Sequence, residues 1–273
     1  MNNFSKKEIS FFKNQKMIVE PKYIQNTYIK NMVSVIITTY NRYENLLLAI
    51  ESVKKQTYKN IEIIIVNDCS TDERYYNTNF KNCNIIHLSE NSKTRFGYAC
   101  PGGYQRNFGL NIARGEYIAF LDDDDCWLED KLKKQIELMK ETNCNLSCSN
   151  AFKGNGKYNK LNNYKLYFEN MIDYKNDKII MYIKNKNIED YPNYVVVTDS
   201  KLLKHYTNIC ICSSVVIHRY IINKVGYFLI GNKSEDYHYW LRALIYTNII
   251  YIKEPLVYYD EGHGGNQVWT DNE

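Results

Sequence analysis

The sequence is short of proline, of long apolar runs and of any large excess of charge. Its 273 residues include only four prolines, and no stretch rich in proline and glycine separates one part from another, so two domains joined by a linker are not indicated. The apolar runs 32–37 and 61–66 have the length of strands and are far too short to cross a bilayer. A net charge of +4, without a basic run or interleaved aromatics, does not point to nucleic acid. We therefore expect one compact, soluble domain without a transmembrane segment.

Secretion and zinc binding by sulfur are also disfavoured. The first residues contain no long apolar segment followed by a cleavage site, which a secretory signal requires. Eight cysteines are present, but the close pairs Cys144/Cys148 and Cys210/Cys212 lack the spacing of a zinc knuckle. We predict free thiols and a cytoplasmic location. Residues 1–31 are interpreted as an N-terminal extension, a helix or an arm, and a peripheral contact with a membrane stays open.

Strand and helix patterns alternate regularly over the first half of the chain. Runs of β-branched and aliphatic residues predict buried strands, and apolar residues at helical spacing predict helices between them. This alternation predicts an α/β fold with a mostly parallel, Rossmann-like sheet flanked by helices. The predicted strands are 32–38, 61–66, 84–88 and 117–121, and the predicted helices are 46–53, 105–113 and 128–139.

The regularity weakens after residue 150, where we divide the domain. Residues 153–190 are dominated by Lys, Asn and Tyr without a sustained period, which predicts a long loop or insertion. Three further strands are predicted at 194–198, 209–217 and 249–252, and a helix at 235–246.

Four consecutive carboxylates, Asp122 to Asp125, follow the apolar run Tyr117 to Leu121. Four adjacent like charges repel one another, so they require a cation, hydrogen-bond donors or water. The apolar run is too short for a helix and predicts a buried strand that ends at the rim of the sheet. Open α/β sheets bind their ligands at this rim.

Five motifs occur in one order along the chain, and together they resemble the inverting glycosyltransferases of family 2, which have the GT-A fold. The resemblance covers about residues 32 to 265. It implies transfer of a sugar from a UDP- or dTDP-sugar to a hydroxyl of a glycan acceptor, with a nucleotide-sugar-binding half at 32–150 and an acceptor-binding half at 151–273. The motifs are Val35-Ile-Ile-Thr-Thr-Tyr-Asn-Arg42, Val66-Asn-Asp-Cys-Ser-Thr-Asp72, Gln105-Arg-Asn107, Gly115-Glu-Tyr-Ile-Ala-Phe-Leu-Asp-Asp-Asp-Asp125 and Glu235-Asp236.

The resemblance assigns the nucleotide to the ends of the first two strands, with contacts from Thr38, Tyr40, Asn41, Asp68 and Arg106. Tyr40 would stack on a pyrimidine, and Asp68 would accept a hydrogen bond from its N3–H. Three of these residues also have a structural alternative. Tyr40 can cover the edge of the sheet, Asp68 can cap the next helix, and an arginine such as Arg106, taken alone, usually lies at the surface.

The resemblance also implies a divalent cation, Mn²⁺ or Mg²⁺, bound by the Asp-x-Asp element. Hard carboxylate oxygens suit either ion. We expect Asp124 as a direct ligand, Asp123 near the ribose or a metal-bound water, and Asp122 in a supporting contact, with the register uncertain by one residue. His263 resembles a histidine that closes over the phosphates or the metal, although a lone loop histidine usually has no such role. A solvated acidic turn is the structural alternative for the carboxylates.

The general base is assigned to Asp236. An inverting transfer requires one carboxylate within hydrogen-bond reach of the acceptor hydroxyl. Asp236 matches the second residue of the family's Glu-Asp element, and Glu235 would orient the acceptor or support the turn. An acid pair stabilised by a helix dipole is the alternative.

Two other functions stay open at this point. A sugar-nucleotide nucleotidyltransferase also uses an α/β sheet with Asp-bound Mg²⁺, but its glycine-rich phosphate loop is missing here, because Thr38 to Arg42 contains no glycine. A non-catalytic nucleotide- or carbohydrate-binding module would keep the donor residues without needing Asp236. The acceptor, the sugar and the oligomeric state are not determined by these motifs.

Overall fold

The structure is a computed structural model that describes residues 27–96, 102–169, 188–198, 208–230 and 234–262. Most of the expected N-terminal extension and the candidate ligand His263 lie outside these residues. In the described part of the chain, no helix is both long enough and apolar enough to cross a membrane. The seven described cysteines are free, as the sequence predicts.

The first half folds as alternating strands and helices, close to the predicted positions. Helix α1 buries Leu46, Ala49, Ile50 and Val53, so its apolar stripe faces the sheet as the helical spacing requires. Helix α5 begins at Lys131, three residues later than predicted. In chain order the elements are β1 (Ile29–Thr39), α1 (Tyr43–Lys54), β2 (Ile61–Asn67), α2 (Arg74–Asn77), β3 (Cys83–His87), α3 (Ser92–Phe96), α4 (Gly103–Ile112), β4 (Gly115–Asp122), β5 (Cys126–Trp127) and α5 (Lys131–Thr142).

The second half departs further from the prediction. The strand predicted at 209–217 is wrong for most of its length, because residues 212–214 form a 3₁₀ turn and only the last residues pair in the sheet. The insertion predicted at 153–190 contains parts of three strands. The elements are β6 (Leu146–Gly154), β7 (Lys165–Leu166), β8 (Ile188–Asp190), β9 (Tyr194–Val197), the 3₁₀ turn (Cys212–Ser214), β10 (Val216–His218), α6 (Arg219–Val225), α7 (Glu235–Ala243) and β11 (Ile249–Asp260).

One mixed sheet runs through both halves in the order β3-β2-β1-β4-β10-β6-β11-β9-β8. The strands β3, β2, β1 and β4 are parallel to one another, whereas β10 is antiparallel to both β4 and β6. The predicted α/β fold is confirmed, and the parallel arrangement predominates in the first half. Strand β6 spans the divide expected near residue 150, so the two halves share the sheet.

The sheet is covered on both faces, as a largely buried parallel sheet requires. Along β1, Ile36 packs into one core, whereas Val35 and Ile37 pack into the other. The first core includes residues of α4, α6 and α7, and the second includes residues of α1 and α5. The carboxyl ends of β1, β2 and β4 therefore form one rim between two layers of helices.

Candidate active site

The register of the parallel strands brings the donor motifs to this rim. Thr38 of β1 lies opposite Asp122 at the end of β4, and Thr39 lies opposite Asn67 at the end of β2. The Thr38 hydroxyl donates a hydrogen bond to Asp122 Oδ1 at 3.3 Å. Three segments that are distant in sequence thus meet at one edge.

The four consecutive acids, Asp122 to Asp125, are called the acid turn below. Their exposure alternates, because Asp122 and Asp124 are partly exposed whereas Asp123 and Asp125 are each only 2% exposed. The two kinds of acid therefore have different surroundings, and only Asp122 and Asp124 offer oxygen atoms to solvent.

The two buried acids tie the turn to its neighbours. Asp123 Oδ2 accepts a long hydrogen bond from the Tyr40 N–H at 3.4 Å, and burial raises the pKa of Asp123 to about 7. Asp125 Oδ1 accepts from the Asp260 N–H of β11 at 3.0 Å, and burial raises the pKa of Asp125 well above its ordinary value. These two carboxyls hold the turn in place from opposite sides.

Arg42, the last residue of the first motif, is the counter-ion of the turn on the α1 side. Its Nη1 contacts Asp124 Oδ2 and lies 3.4 Å from Asp123 Oδ1. The arginine side chain is 36% exposed, so this ion pair borders on solvent. Burial raises the pKa of Asp124, and the charge of Arg42 opposes that rise.

Asp122 and Asp124 are the carboxylates of the acid turn that are open to a divalent cation. Hard oxygens of Asp122 and Asp124 are of the right chemical kind, but both carboxylates already contact arginines, Arg42 and Arg106. Among the described residues, no three His, Cys, Asp or Glu side chains converge in a way that could hold an ion. The donor chemistry suits a cation at Asp124 and Asp122, and an ion there would compete with Arg42 for Asp124.

Arg106 joins the acid turn to the second half of the chain. Its Nη2 donates to Asp122 Oδ1 at 2.6 Å, and its Nη1 donates to Glu235 Oε1 at 2.8 Å. Its side chain is 6% exposed and that of Glu235 is 4% exposed, so this half of the contact is a buried ion pair. Burial raises the pKa of Glu235, whereas the arginine charge lowers it. We call the Asp122–Arg106–Glu235 contact the arginine bridge.

Two glycines make the bridge possible. A Cβ atom on Gly103 would lie 2.5 Å from Glu235 Cγ, and Gly102 has a φ of +34° and lies against the Arg106 guanidinium. Only a residue without a side chain allows the start of α4 to approach α7 this closely. The bridge is therefore built into the packing of these two helices.

Asp236 lies next to the bridge, in the first turn of α7. The helix is anchored by Tyr239 and Trp240, both fully buried. Within the described part of the chain, the Asp236 carboxylate accepts one hydrogen bond, from the Tyr237 N–H at 2.7 Å. Burial raises the pKa of Asp236, and the Arg106 charge opposes the rise. A partly exposed carboxylate with a raised pKa has the chemistry of a general base.

Two of the residues assigned to the nucleotide, Tyr40 and Asn41, follow the end of β1. Tyr40 is 42% exposed at the end of β1. Asn41 joins the first two strand ends, since its N–H donates to Ser70 Oγ and its Oδ1 accepts from the Thr71 N–H, both at 2.9 Å.

Asp68 is buried and its carboxylate is already engaged. It accepts hydrogen bonds from the Ser92 N–H at 2.9 Å, the Ser92 hydroxyl at 2.7 Å and the Asn91 side-chain amide at 3.0 Å. This is not the alternative that the sequence offered, in which Asp68 caps the next helix, because α2 is the next helix and Ser92 begins α3. Burial raises the pKa of Asp68.

Sequence reasoning missed two features of the site. Arg42 belongs to the first motif, which assigns it no role, and its contact with Asp124 joins residues 82 positions apart. Arg106, which would be a surface residue if taken alone, is buried and paired with Glu235. No local sequence pattern predicts that ion pair, because the two residues are 129 positions apart.

Comparison with known proteins agrees with the motifs. Residues 34–207 match the model of the family described as glycosyl transferase family 2. The chain is 33% identical over 214 residues to the UDP-Glc:alpha-D-GlcNAc-diphosphoundecaprenol beta-1,3-glucosyltransferase WfaP of Escherichia coli, covering 78% of this chain and 70% of WfaP. It is 30% identical to WfgD, a glucosyltransferase with the same description from the same organism, over 80% of this chain and 72% of WfgD.

The fold is similar to two solved structures. One is residues 1–349 of Staphylococcus aureus TarS in complex with UDP-GlcNAc, with a TM-score of 0.61 at 21% identity over 86% of this chain and 60% of the other. The second is the mannosyltransferase PcManGT of Pyrobaculum calidifontis with GDP-Man and Mn²⁺, with a TM-score of 0.57 at 16% identity over 94% of this chain and 64% of the other. The chain thus spans somewhat less than two thirds of each solved chain.

Proposed function

This chain belongs to glycosyl transferase family 2, and we propose that it transfers a sugar from a UDP-sugar to a hydroxyl of a lipid-linked glycan, with inversion at the anomeric carbon. Residues 32–150 would supply the donor side and residues 151–273 the acceptor side. The choice of UDP and of a lipid-linked acceptor is supported by WfaP and WfgD, which are both glucosyltransferases that use UDP-glucose and a diphosphoundecaprenol-linked GlcNAc.

The donor would lie across the ends of β1, β2 and β4. Tyr40 is exposed enough to stack on the base. Asn41 would hold the two loops at the correct separation, and Asp68 would face the base while its other contacts fix its position. Thr38 and Arg106 contact Asp122 of the acid turn, and together with Asp123 they would complete the donor site.

The diphosphate would lie against the acid turn. Asp124 and Asp122 would hold a divalent cation, which when bound neutralises negative charge on the departing diphosphate. His263 is assigned to the same group by the sequence alone. Arg42 would move from Asp124 towards the phosphate oxygens when the donor arrives, because a guanidinium pairs well with either partner.

Asp236 would accept the proton of the acceptor hydroxyl while that oxygen attacks the anomeric carbon from the face opposite the diphosphate. The anchored helix α7 keeps the carboxylate in position. The arginine bridge places a positive charge beside Asp236, which favours the ionised form that the reaction requires.

The arginine bridge is the observation on which the proposal rests. Arg106 contacts both Asp122 of the acid turn and Glu235, the residue before Asp236. One side chain therefore links the candidate diphosphate site to the candidate base, as a direct displacement between donor and acceptor requires.

The test is transfer from UDP-glucose to a short-chain lipid diphosphate carrying GlcNAc, with Mn²⁺ present. We expect free UDP and a product in which the new linkage is β, measured by chromatography and NMR. Other UDP-sugars serve as parallel donors, since the sugar is not fixed by the residues described.

Three results would contradict the proposal. An α-linkage would exclude inversion, and release of pyrophosphate from a nucleoside triphosphate would favour a nucleotidyltransferase. A chain whose thermal stability does not respond to UDP, with or without Mn²⁺, would lack the donor site, because saturation at a hundred times Kd adds about 2.7 kcal/mol.

A further inference from the structure

The hairpin between β6 and β7 carries an unusual concentration of positive charge. Residues 153–168 include four lysines and no acidic residue. Lys157, Lys160 and Lys165 are exposed, and Leu161 between them is 84% exposed, the most exposed large apolar side chain among the described residues. We call residues 155–165 the lysine loop.

The lysine loop has a defined conformation. The Asn162 N–H donates to Asn159 O and the Leu161 N–H donates to Asn159 Oδ1, both at 3.0 Å, which closes a turn at the tip. Tyr158 and Tyr164 pack against Tyr258 of β11, with ring centroids 5.3 and 4.9 Å away. The aromatic rings at the base therefore fix the direction in which the tip points.

The loop is also connected to the candidate site. The Gly156 N–H donates to Asp260 Oδ1 at 2.8 Å, and the Asp260 N–H donates to Asp125 of the acid turn at 3.0 Å. Lys157 and Lys160 line a groove of about 1040 Å³ together with Asp124. A surface that holds the loop would thus lie beside the acid turn.

We propose that the lysine loop docks this enzyme on an anionic membrane surface, with Leu161 in the headgroup layer and Lys157, Lys160 and Lys165 against lipid phosphates. Charge complementarity selects this partner. Lysines around an exposed apolar side chain are the pattern of interfacial binding. The same groove is also lined by Glu51, Lys55 and Glu129, so away from the loop its lining carries charges of both signs.

The inference deepens the proposed function, on which it rests, since a lipid-linked acceptor lies in a membrane. Docking through the loop would bring the membrane beside the acid turn and so place a lipid-linked acceptor within reach of the donor held there. A single exposed leucine with three lysines gives weak, reversible binding, and rapid release suits an enzyme that must leave after each transfer.

The test is co-sedimentation of the full chain with phosphatidylcholine vesicles, with and without phosphatidylglycerol. We expect binding only to the anionic vesicles, and weakening by salt. Lys157→Gln/Lys160→Gln should reduce the affinity about 30-fold, because each lysine contributes about 1 kcal/mol and 1.4 kcal/mol is tenfold. Leu161→Asn should cause a smaller, several-fold loss.

The matched control is Lys81→Gln/Lys133→Gln, which removes two exposed lysines outside the loop and should leave binding unchanged. Equal losses in both double variants would overturn the proposal, as would wild-type binding to neutral vesicles alone or to none. Since this assay contains no substrate, its failure leaves the proposed transfer standing. Conversely, docking without transfer to any lipid acceptor would remove the proposed function only.

Discussion

The carboxylates on the two sides of the arginine bridge are held in different ways. On the donor side, Asp68 accepts three hydrogen bonds from Asn91 and Ser92, and Asp124 contacts an arginine. On the acceptor side, Asp236 is fixed mainly by the burial of the helix that carries it. These two donor-side carboxylates are thus paired before any ligand arrives, whereas the acceptor side keeps a carboxylate with capacity for a new hydrogen bond.

The difference in hydrogen bonding matches the role proposed for each side. A nucleotide diphosphate is bound by many fixed contacts, so preorganised donors reduce the reorganisation on binding. A general base must exchange a proton, and a carboxylate already saturated with donors would be too weak a base for that. The predictions below test this contrast in order of expected size.

The largest effect is expected for Asp236→Asn. Loss of the base should lower kcat by about 10²- to 10⁴-fold, with UDP affinity unchanged because the donor side is not altered. Transfer is followed by product chromatography and UDP binding by thermal shift. Glu137→Gln, at an exposed site on α5, is the control and should change neither. Undiminished transfer would remove Asp236 from the base role.

The next largest effect is expected for Arg106→Met. Glu235 would keep a buried charge without its partner, which costs about 3–5 kcal/mol of unfolding free energy. Urea denaturation measures this loss, and Arg106→Met/Glu235→Gln should recover part of it.

Arg95→Met provides the comparison for Arg106→Met. Arg95 pairs with Glu90 on the surface, so its loss should cost less than about 1 kcal/mol. Equal stabilities of the two single variants would show that the bridge contributes nothing beyond a surface ion pair.

A moderate effect is expected for Tyr40→Ala on the donor side. Stacking of a base on an aromatic ring contributes about 1–3 kcal/mol. The binding free energy of UDP should therefore weaken by about that amount, without a change in unfolding free energy. Isothermal titration measures the affinity. Tyr246→Ala removes a ring that is 38% exposed beyond α7 and should leave UDP binding intact. A normal affinity in Tyr40→Ala would leave that side chain as a cover of the sheet edge.

A smaller effect is expected for Arg42→Gln, and it is a gain in Mn²⁺ affinity where the variants above lose activity, stability or UDP affinity. Removing the counter-ion of Asp124 should tighten Mn²⁺ binding without nucleotide by about fivefold, equivalent to about 1 kcal/mol for a partly exposed pair. Electron paramagnetic resonance of free Mn²⁺ measures it. Arg74→Gln, which breaks exposed pairs with Glu44 and Asp72, should have no effect. Weaker binding in Arg42→Gln would show that the arginine supports the cation.

The pH profile of the acceptor side provides the finest test. The base is active when ionised, so activity falls as the pH drops through its pKa. Burial raises the pKa of Asp236, which places the acidic limb of kcat/KM above the ordinary aspartate value of about 3.9. Arg106 opposes this rise, so Arg106→Met should move the limb to higher pH. UDP binding over the same range is the control, and a limb at the ordinary value would exclude Asp236 as its source.

The regular first half of the fold could be predicted from its sequence because both faces of its sheet are covered. Such strands consist of continuous aliphatic runs, as in β2, and the helices between them have one apolar stripe. Strand β6 was not predicted. It contains Ser147, Ser149 and Asn150, all buried, so it lacks the continuous aliphatic run on which the prediction of the other central strands depends. Their hydrogen bonds, such as Gln135 Nε2 to Ser147 Oγ at 3.2 Å, come from distant elements.

The second half was harder to predict because its strands are short. Residues 209–217 have the composition of a strand, yet the Ile211 carbonyl accepts the Ser214 N–H and closes a turn. Ser213 lies within this turn, and its hydroxyl accepts a hydrogen bond from the Asp122 N–H at 3.1 Å. A contact with the acid turn, which no local pattern encodes, accompanies this departure from strand geometry.

The sequence by itself determined the α/β class, the family resemblance and the set of acids, because these depend on local periodicity and on motifs of adjacent residues. Only the tertiary structure decided how those acids are paired. Exposure separates Asp122 and Asp124 from Asp123 and Asp125, and the packing of α4 against α7 buries Arg106 between the acid turn and Glu235. Charges that are neighbours in space but distant in the chain leave no pattern in the sequence, since the folded backbone alone sets the distances between them.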